Sequence, residues 1–276
     1  MHMLHPAPST RNPAVAGMFY PGNRAELAQS VAQMLDAAGS VTPKRAVPKA
    51  IIAPHAGYIY SGPIAASVYS LLAPARQTIR RVVLLGPTHR VAVRGLALPG
   101  VSAFATPLGE VPIDPEAVAA LDALPQVGTS AQAHALEHSL EVHLPFLQAA
   151  LERFTLVPLA VGQADARVVA EVLDTLWGGL ETLIVVSSDL SHYLPYDDAQ
   201  ALDRATAQAI LGLTVDISHT QACGATPVTG LTYTARKRGL KPELIDLRNS
   251  GDTAGDKQRV VGYGAFAFYE DEADGR

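Results

Sequence analysis

Two apolar, strand-sized runs end alike. IIAPHAGYIYSG (51–62) and VVLLGPTHR (82–90) each carry a β-like segment straight into a histidine set among glycine and proline. A third, TLIVVSSDLSHY (182–193), runs into Asp189 and His192. Short apolar runs bounded by turn residues read as buried strands. In an α/β protein the loops past the carboxyl ends of the strands form the ligand crevice. Polar groups at three such ends therefore point to one convergent site, most simply a metal site.

Helical patterns fill the space between these runs. RAELAQSVAQMLDAAG (24–39) sets Leu27, Val31, Met34 and Leu35 on one stripe, with Gly39 as a stop. Pro63 predicts a helix opening into IAASVYSLL, and Asp114 followed by Pro115 predicts an N-capped helix over 114–124. Residues 137–154 read as an amphipathic helix interrupted by Pro145, and 164–180, 197–213 and 227–239 read as further helices. Strands are expected at 94–100, 155–162, 243–252 and 261–270, the last two forming a hairpin. Alternating strands and helices with a closing hairpin predict a three-layer α/β/α sandwich around a mixed central sheet. Residues 1–12 read as a mobile leader and 13–276 as one α/β domain, with 42–49 a polar loop.

Composition excludes several classes. A hydrophobic fraction of 48% supports a sizeable core, and a net charge of −5 without any basic block gives no footprint for nucleic acid or anionic membrane. No apolar run approaches the roughly 20 residues of a membrane span, and the N-terminus does not read as a secretory signal. Cys223 is the only cysteine, which excludes an intrachain disulfide and suits a reducing cytoplasm.

Among candidate chemical residues, His55 (A-P-H-A-G-Y) and His89 (G-P-T-H-R) repeat one geometry on two strands, and imidazole is the commonest protein ligand for zinc, iron or copper. Read singly, each is equally a loop histidine bonded to backbone. Asp189 could bind metal or orient an imidazole, and His192 could act as general acid/base, although S-S-D-L-S-H also suits a helix start. EHSLEVH (137–143) puts His138 and Glu141 on one helical face but matches no zinc-protease spacing. A supporting or pocket role is open to both, while His134 and His143 read as capping or surface residues. Gly57, Gly62 and the pair Tyr58 and Tyr60 could line a pocket beside His55. Arg90 could hold an anion, but reads more simply as surface charge. Cys223 in A-C-G-A-T-P precedes a helix, whose N-terminus lowers a thiol pKa, yet a free cysteine is most often a small buried hydrophobe. There is no dinucleotide fingerprint, Walker loop or nucleophile elbow.

These residues fall within ordered motifs: AVAGMFYPG (14–22), IIAPHAGYIYSG, LLGPTH, EHSLEVHLPFL, SSDLSHY, CGATP and the closing GYGAFAF. With them the chain resembles the Memo family, labelled in prokaryotes AmmeMemoRadiSam system protein B. The resemblance covers essentially everything after residue 12. It implies a fold related to the LigB-type class III extradiol dioxygenases, which bind Fe(II) through two histidines and a carboxylate. By resemblance His55 and His89 stand at the histidine ligand positions and Cys223 at the carboxylate position. His192 stands at the acid/base position, with Asp189 near the metal, and iron or copper is the implied cofactor. The label also implies association with a radical SAM protein and an AMMECR-type protein. The cysteine is a departure: a thiolate is softer than a carboxylate, favours copper or zinc more, and is itself oxidisable. CGATP also differs from a more glycine-rich CGxGP-like form.

Three functions follow in order. The first is a dioxygenase-like, metal-dependent oxidoreductase acting on an unknown small molecule. The second is a non-catalytic module that binds a metal, peptide or partner in the same pocket. Phosphotyrosine-peptide binding, implied for animal relatives, lacks an obvious arginine cluster here. The third is a zinc hydrolase.

Overall fold

The computed structural model describes residues 9–39 and 47–270. Residues 1–8 of the expected leader, most of the expected loop 42–49 and residues 271–276 lie outside the described residues. In chain order the first elements are β1 (Thr10–Arg11), α1 (Arg24–Gly39), β2 (Ala50–Ala53), α2 (Tyr58–Tyr69) and β3 (Arg81–Pro87). Then come β4 (Leu96–Leu98), β5 (Ala103–Thr106), β6 (Gly109–Pro112), α3 (Pro115–Ala120), β7 (Val127–Thr129), α4 (Ala131–Ala135) and α5 (Leu144–Ala150). The remainder is β8 (Thr155–Val161), α6 (Ala166–Leu176), β9 (Thr182–Ser187), β10 (His192–Leu194), α7 (Tyr196–Leu211), α8 (Ala225–Arg238), β11 (Lys241–Asn249) and β12 (Val260–Tyr269).

A nine-stranded mixed sheet carries the fold, in the order β10-β12-β2-β9-β3-β8-β4-β7, with β11 paired to β12. Its centre, β2, β9, β3 and β8, is parallel. β12 joins β2 antiparallel and forms the expected hairpin with β11. Side chains of the central strands alternate between two cores. Ile51, Ala53, Val82, Leu84 and Val185 pack on one face with Leu27, Val31, Ile64, Val68 and Leu147 of α1, α2 and α5. Ile52, Val83, Leu85, Ile184 and Val186 pack on the other with Val169, Leu173, Ile210, Val228 and Leu231 of α6, α7 and α8. Strands buried on both faces are why these segments read as continuous apolar runs. The result is a three-layer α/β/α arrangement around a mixed sheet. Among the described residues no helix is long and apolar enough to cross a membrane.

Four local expectations are corrected. Thr10 and Arg11, assigned to the leader, form β1, which pairs in parallel with β5, while β5 and β6 form a hairpin in a separate three-stranded sheet. α2 begins at Tyr58 rather than at Pro63, because the Tyr58 amide donates to the Phe19 carbonyl at 2.7 Å and so finds outside the helix the partner a first turn lacks. Strand β4 is three residues long, not seven. The helix expected over 137–154 is a 3-10 turn at Glu141–His143 followed by α5, with Pro145 in its first turn.

Candidate metal centre

Parallel pairing puts the carboxyl ends of β2, β9, β3 and β8 on one edge of the sheet. β9 lies between β2 and β3, so Asp189 emerges between the loops carrying His55 and His89. Strands two places apart are separated by about 10 Å; here the loops lean inward until the two imidazole centroids are 5.2 Å apart. His55 is 2% exposed, whereas His89 lies open to solvent.

His138, expected only in a supporting role, joins them. One nitrogen from each of His55, His89 and His138 lies within 4.8 Å of the other two. The His138 ring stacks on His89 with centroids 4.7 Å apart and meets the Phe19 ring at 4.9 Å. This works because residues 136–140 form a loop, not a helix, folded around the carboxylate of Glu137. That carboxylate accepts the amides of His89 (2.6 Å), His138 (3.0 Å) and Ser139 (3.0 Å). The hydroxyl of Ser139 donates to the Pro87 carbonyl at 2.7 Å, tying the loop to the end of β3.

Hydrogen bonds fix which ring nitrogen faces the centre. The Ser187 hydroxyl donates to the Ser139 carbonyl at 2.6 Å, so toward His55 Nδ1, also at 2.6 Å, it can only accept. His55 is thus protonated at Nδ1 and presents the Nε2 lone pair. His89 donates Nδ1–H to Glu137 Oε1 at 2.8 Å and likewise leaves Nε2 free. His192 donates Nδ1–H to the Leu190 carbonyl at 2.8 Å.

Burial pushes His55 well below the ordinary histidine range, and the neighbouring imidazoles of His138 and His89 add to this. Burial also carries His138 down to about 4, against the pull of Glu137. Burial would raise Glu137, but its hydrogen bonds to His89 outweigh that and hold it at about 2. Asp189 is pushed up to about 6 by burial, although its Oδ1 accepts the His55 amide at 2.7 Å. Cys223 Sγ lies 3.3 Å from His55 Nε2 and accepts the Asp189 amide at 3.3 Å. The expected lowering of its pKa by the start of α8 is overturned: burial and then the Asp189 charge push the thiol up. Gly224 makes the approach possible, since a Cβ there would meet the Ser187 carbonyl oxygen at 2.5 Å and Ser188 Cβ at 2.7 Å.

The donor set fits a metal ion. Three imidazoles converge with a thiol beside them, a combination suited to iron, copper or zinc. Bond lengths of about 2.0–2.3 Å require the group to close by about 1 Å. An open cleft of about 540 Å³, lined by Thr88, His89, Arg94, Gly162, Cys223 and Thr226, leads to it.

Other expectations resolve differently. Glu141 does not reach the centre: its carboxylate is fully buried and accepts from Arg11, the amides of Ala14 and Val15, and the Tyr20 hydroxyl. Tyr58 packs against Tyr20 and Phe146 and donates to the Val142 carbonyl at 2.6 Å, so it belongs to the core rather than to a pocket wall. His134 and His143 are buried rather than on the surface, and His143 stands at the N-cap position of α5 without a side-chain cap. His134 donates to the Ala97 carbonyl, and buried His143 bonds Tyr69. Glu137, Ser187 and Phe19 were not legible as site residues. The one local signal was the carboxylate directly before His138, placed as in a carboxylate–histidine–metal arrangement.

Comparison with known proteins agrees in extent. A family model described as Memo-like protein matches residues 11–267. A MEMO1 family protein of Archaeoglobus fulgidus is 36% identical over 275 residues, covering 94% of this chain and 99% of that protein. One from Aquifex aeolicus is 36% identical over 271 residues, with 94% and 98% covered. Among solved structures, the uncharacterized protein JW3007 from Escherichia coli K12 shares the fold, with a TM-score of 0.51 at 13% identity, over 78% of this chain and 98% of that one.

Proposed function

The chain belongs to the Memo family, and from that premise we propose that it is a redox metalloprotein holding iron or copper through His55, His89, His138 and Cys223. The observation that carries this reading is the wiring of the imidazoles: the outer nitrogens of His55 and His89 are engaged, by Ser187 and Glu137, so that both inner lone pairs face one point. A bound iron or copper ion would supply one-electron chemistry. Neutral His55 keeps its lone pair available near neutral pH, and metal binding would displace the proton of the Cys223 thiol. Asp189, raised to about 6, and His192, whose Nδ1–H is committed to the Leu190 carbonyl, are the groups suited to take up and return protons. A single cysteine and no disulfide suit a reducing cytoplasm, where such a site keeps its thiol.

Protein produced without added metal and assayed by elemental analysis tests the reading. The expected result is stoichiometric iron or copper, lost in His55→Ala and His89→Ala, with the sulfur-to-metal absorption lost in Cys223→Ser. Anaerobic reconstitution followed by O₂ uptake with a substrate panel then tests redox turnover. A wild-type protein that takes up neither metal would overturn the proposal, and one that holds only zinc without O₂ uptake would move it to the hydrolase class.

A further inference from the structure

We propose that Arg11 is a positioning residue of the metal centre, acting through the segment 134–141, the loop 136–140 and its two flanks; this rests on the metal reading above. Arg11 is 7% exposed and makes three short hydrogen bonds, all to that segment. Its Nε donates to the His134 carbonyl at 2.7 Å, its Nη2 to the Glu137 carbonyl at 2.6 Å and its Nη1 to Glu141 Oε2 at 2.7 Å. The three acceptors bracket His138, two before it and one after. Each centre histidine depends on this bracketed stretch. His138 lies in it, His89 is held by Glu137, and His55 is held through Ser187 by the Ser139 carbonyl.

Arginine is the one side chain with donors forked widely enough for this task; a lysine ammonium is a point charge on a flexible stem. Arg11 is itself held in place. β1 pairs with β5 in the register Arg11↔Phe104, and the guanidinium lies over the Phe104 ring at 4.9 Å. The Glu141 carboxylate is fixed by three further donors, Ala14 N (2.7 Å), Val15 N (2.9 Å) and the Tyr20 hydroxyl (2.6 Å). The same N-terminal segment then lays Phe19 against His138. A buried ion pair contributes little stability over apolar residues of equal volume. What it supplies here is a fixed loop geometry, and a loop that carries or orients all three imidazoles sets how well they fit an ion.

The test compares wild type, Arg11→Lys and Tyr20→Phe, the last loosening Glu141 without touching Arg11. Amide hydrogen exchange of residues 136–140 is measured without metal, and Co(II) affinity and visible spectrum by competition titration. Arg11→Lys is expected to raise exchange in that loop at least about tenfold while β3 and β9 stay protected, and to weaken Co(II) binding about 10- to 100-fold with altered ligand-field bands. Tyr20→Phe is expected to shift both readouts in the same direction by less. A folded Arg11→Lys with unchanged loop exchange and unchanged Co(II) affinity overturns the proposal. If Arg11→Lys does not fold, unchanged values in Tyr20→Phe overturn it instead. Wild-type protein that takes up no Co(II), iron or copper fails the metal reading itself, whereas the exchange comparison still reports on Arg11.

Discussion

Glu137 holds His89 at two points, its Oε2 accepting the backbone amide at 2.6 Å and its Oε1 accepting Nδ1–H at 2.8 Å. The carboxylate thereby fixes both the position of the residue and the direction of its ring. Glu137→Gln keeps the shape but replaces one acceptor oxygen with an NH₂ donor, so one of these bonds must break. Chelator competition is expected to show metal affinity reduced about 10- to 100-fold, with denaturation reporting a loss of about 2 kcal/mol. Equal affinity in the two proteins would mean that His89 is oriented by something other than Glu137.

Ser187 plays the matching part for His55. Ser187→Ala removes the hydroxyl between His55 Nδ1 and the Ser139 carbonyl, stranding a donor and an acceptor in a fully buried place. A destabilisation of about 1–3 kcal/mol is expected. The ring, no longer held as the Nδ1–H tautomer, is expected to bind metal about tenfold more weakly. Nitrogen NMR of the imidazole checks the mechanism directly: an unchanged tautomer in Ser187→Ala refutes it.

The strand-end histidines were legible because their signal is local, an apolar run stopping at a histidine among glycine and proline. The hairpin of β11 and β12 was legible for the same reason. Glu137 and Arg11 were not, and His138 was legible only in a supporting role, because their parts in the centre depend on contacts 48 or more residues away in sequence. The stretch EHSLEVH has helical spacing, yet the amides of His138 and Ser139 turn to the Glu137 carboxylate instead of continuing a helix. Glu141 was misread with it: three residues from His138 means one face only if the segment is helical. Arg11 sits in a polar, proline-rich stretch whose local pattern gives no hint of the buried acceptors waiting for it.

Close packing beneath the centre makes Gly86 sensitive. A Cβ there would come within 2.9 Å of both Leu140 Cδ2 and Ser139 Oγ, and within 3.2 Å of Ser187 Cβ. Two of these neighbours belong to the polar relay that orients His55. Gly86→Ala is therefore expected to lower stability by about 1–3 kcal/mol and to weaken metal binding. A larger loss of affinity than Val83→Ala shows, at matched destabilisation, is the result that ties the effect to the centre. Equal losses would assign it to the core alone.

His134 links the fold to pH. Burial lowers its pKa from the ordinary 6.5 to about 4, opposed by the hydrogen bond to the Ala97 carbonyl. Its Nε2–H makes that bond at 2.7 Å, while its buried Nδ1 has no hydrogen-bond partner. The unfolded chain therefore takes up a proton at this residue between pH 6.5 and 4 while the folded protein does not. The contribution of His134 to stability is complete above about pH 6.5 and is lost as the pH falls toward 4, by at most about 3 kcal/mol across the window. Buried His143, lowered to about 3, His138, lowered to about 4, and His55 pull in the same direction, so wild type alone cannot apportion the slope. His134→Gln, which retains a donor for the Ala97 carbonyl but no titrating ring, isolates the share of His134. Denaturant unfolding at pH 7 and pH 4.5 is expected to show a smaller acid penalty in the variant than in wild type. Parallel pH profiles would place the proton uptake on other histidines.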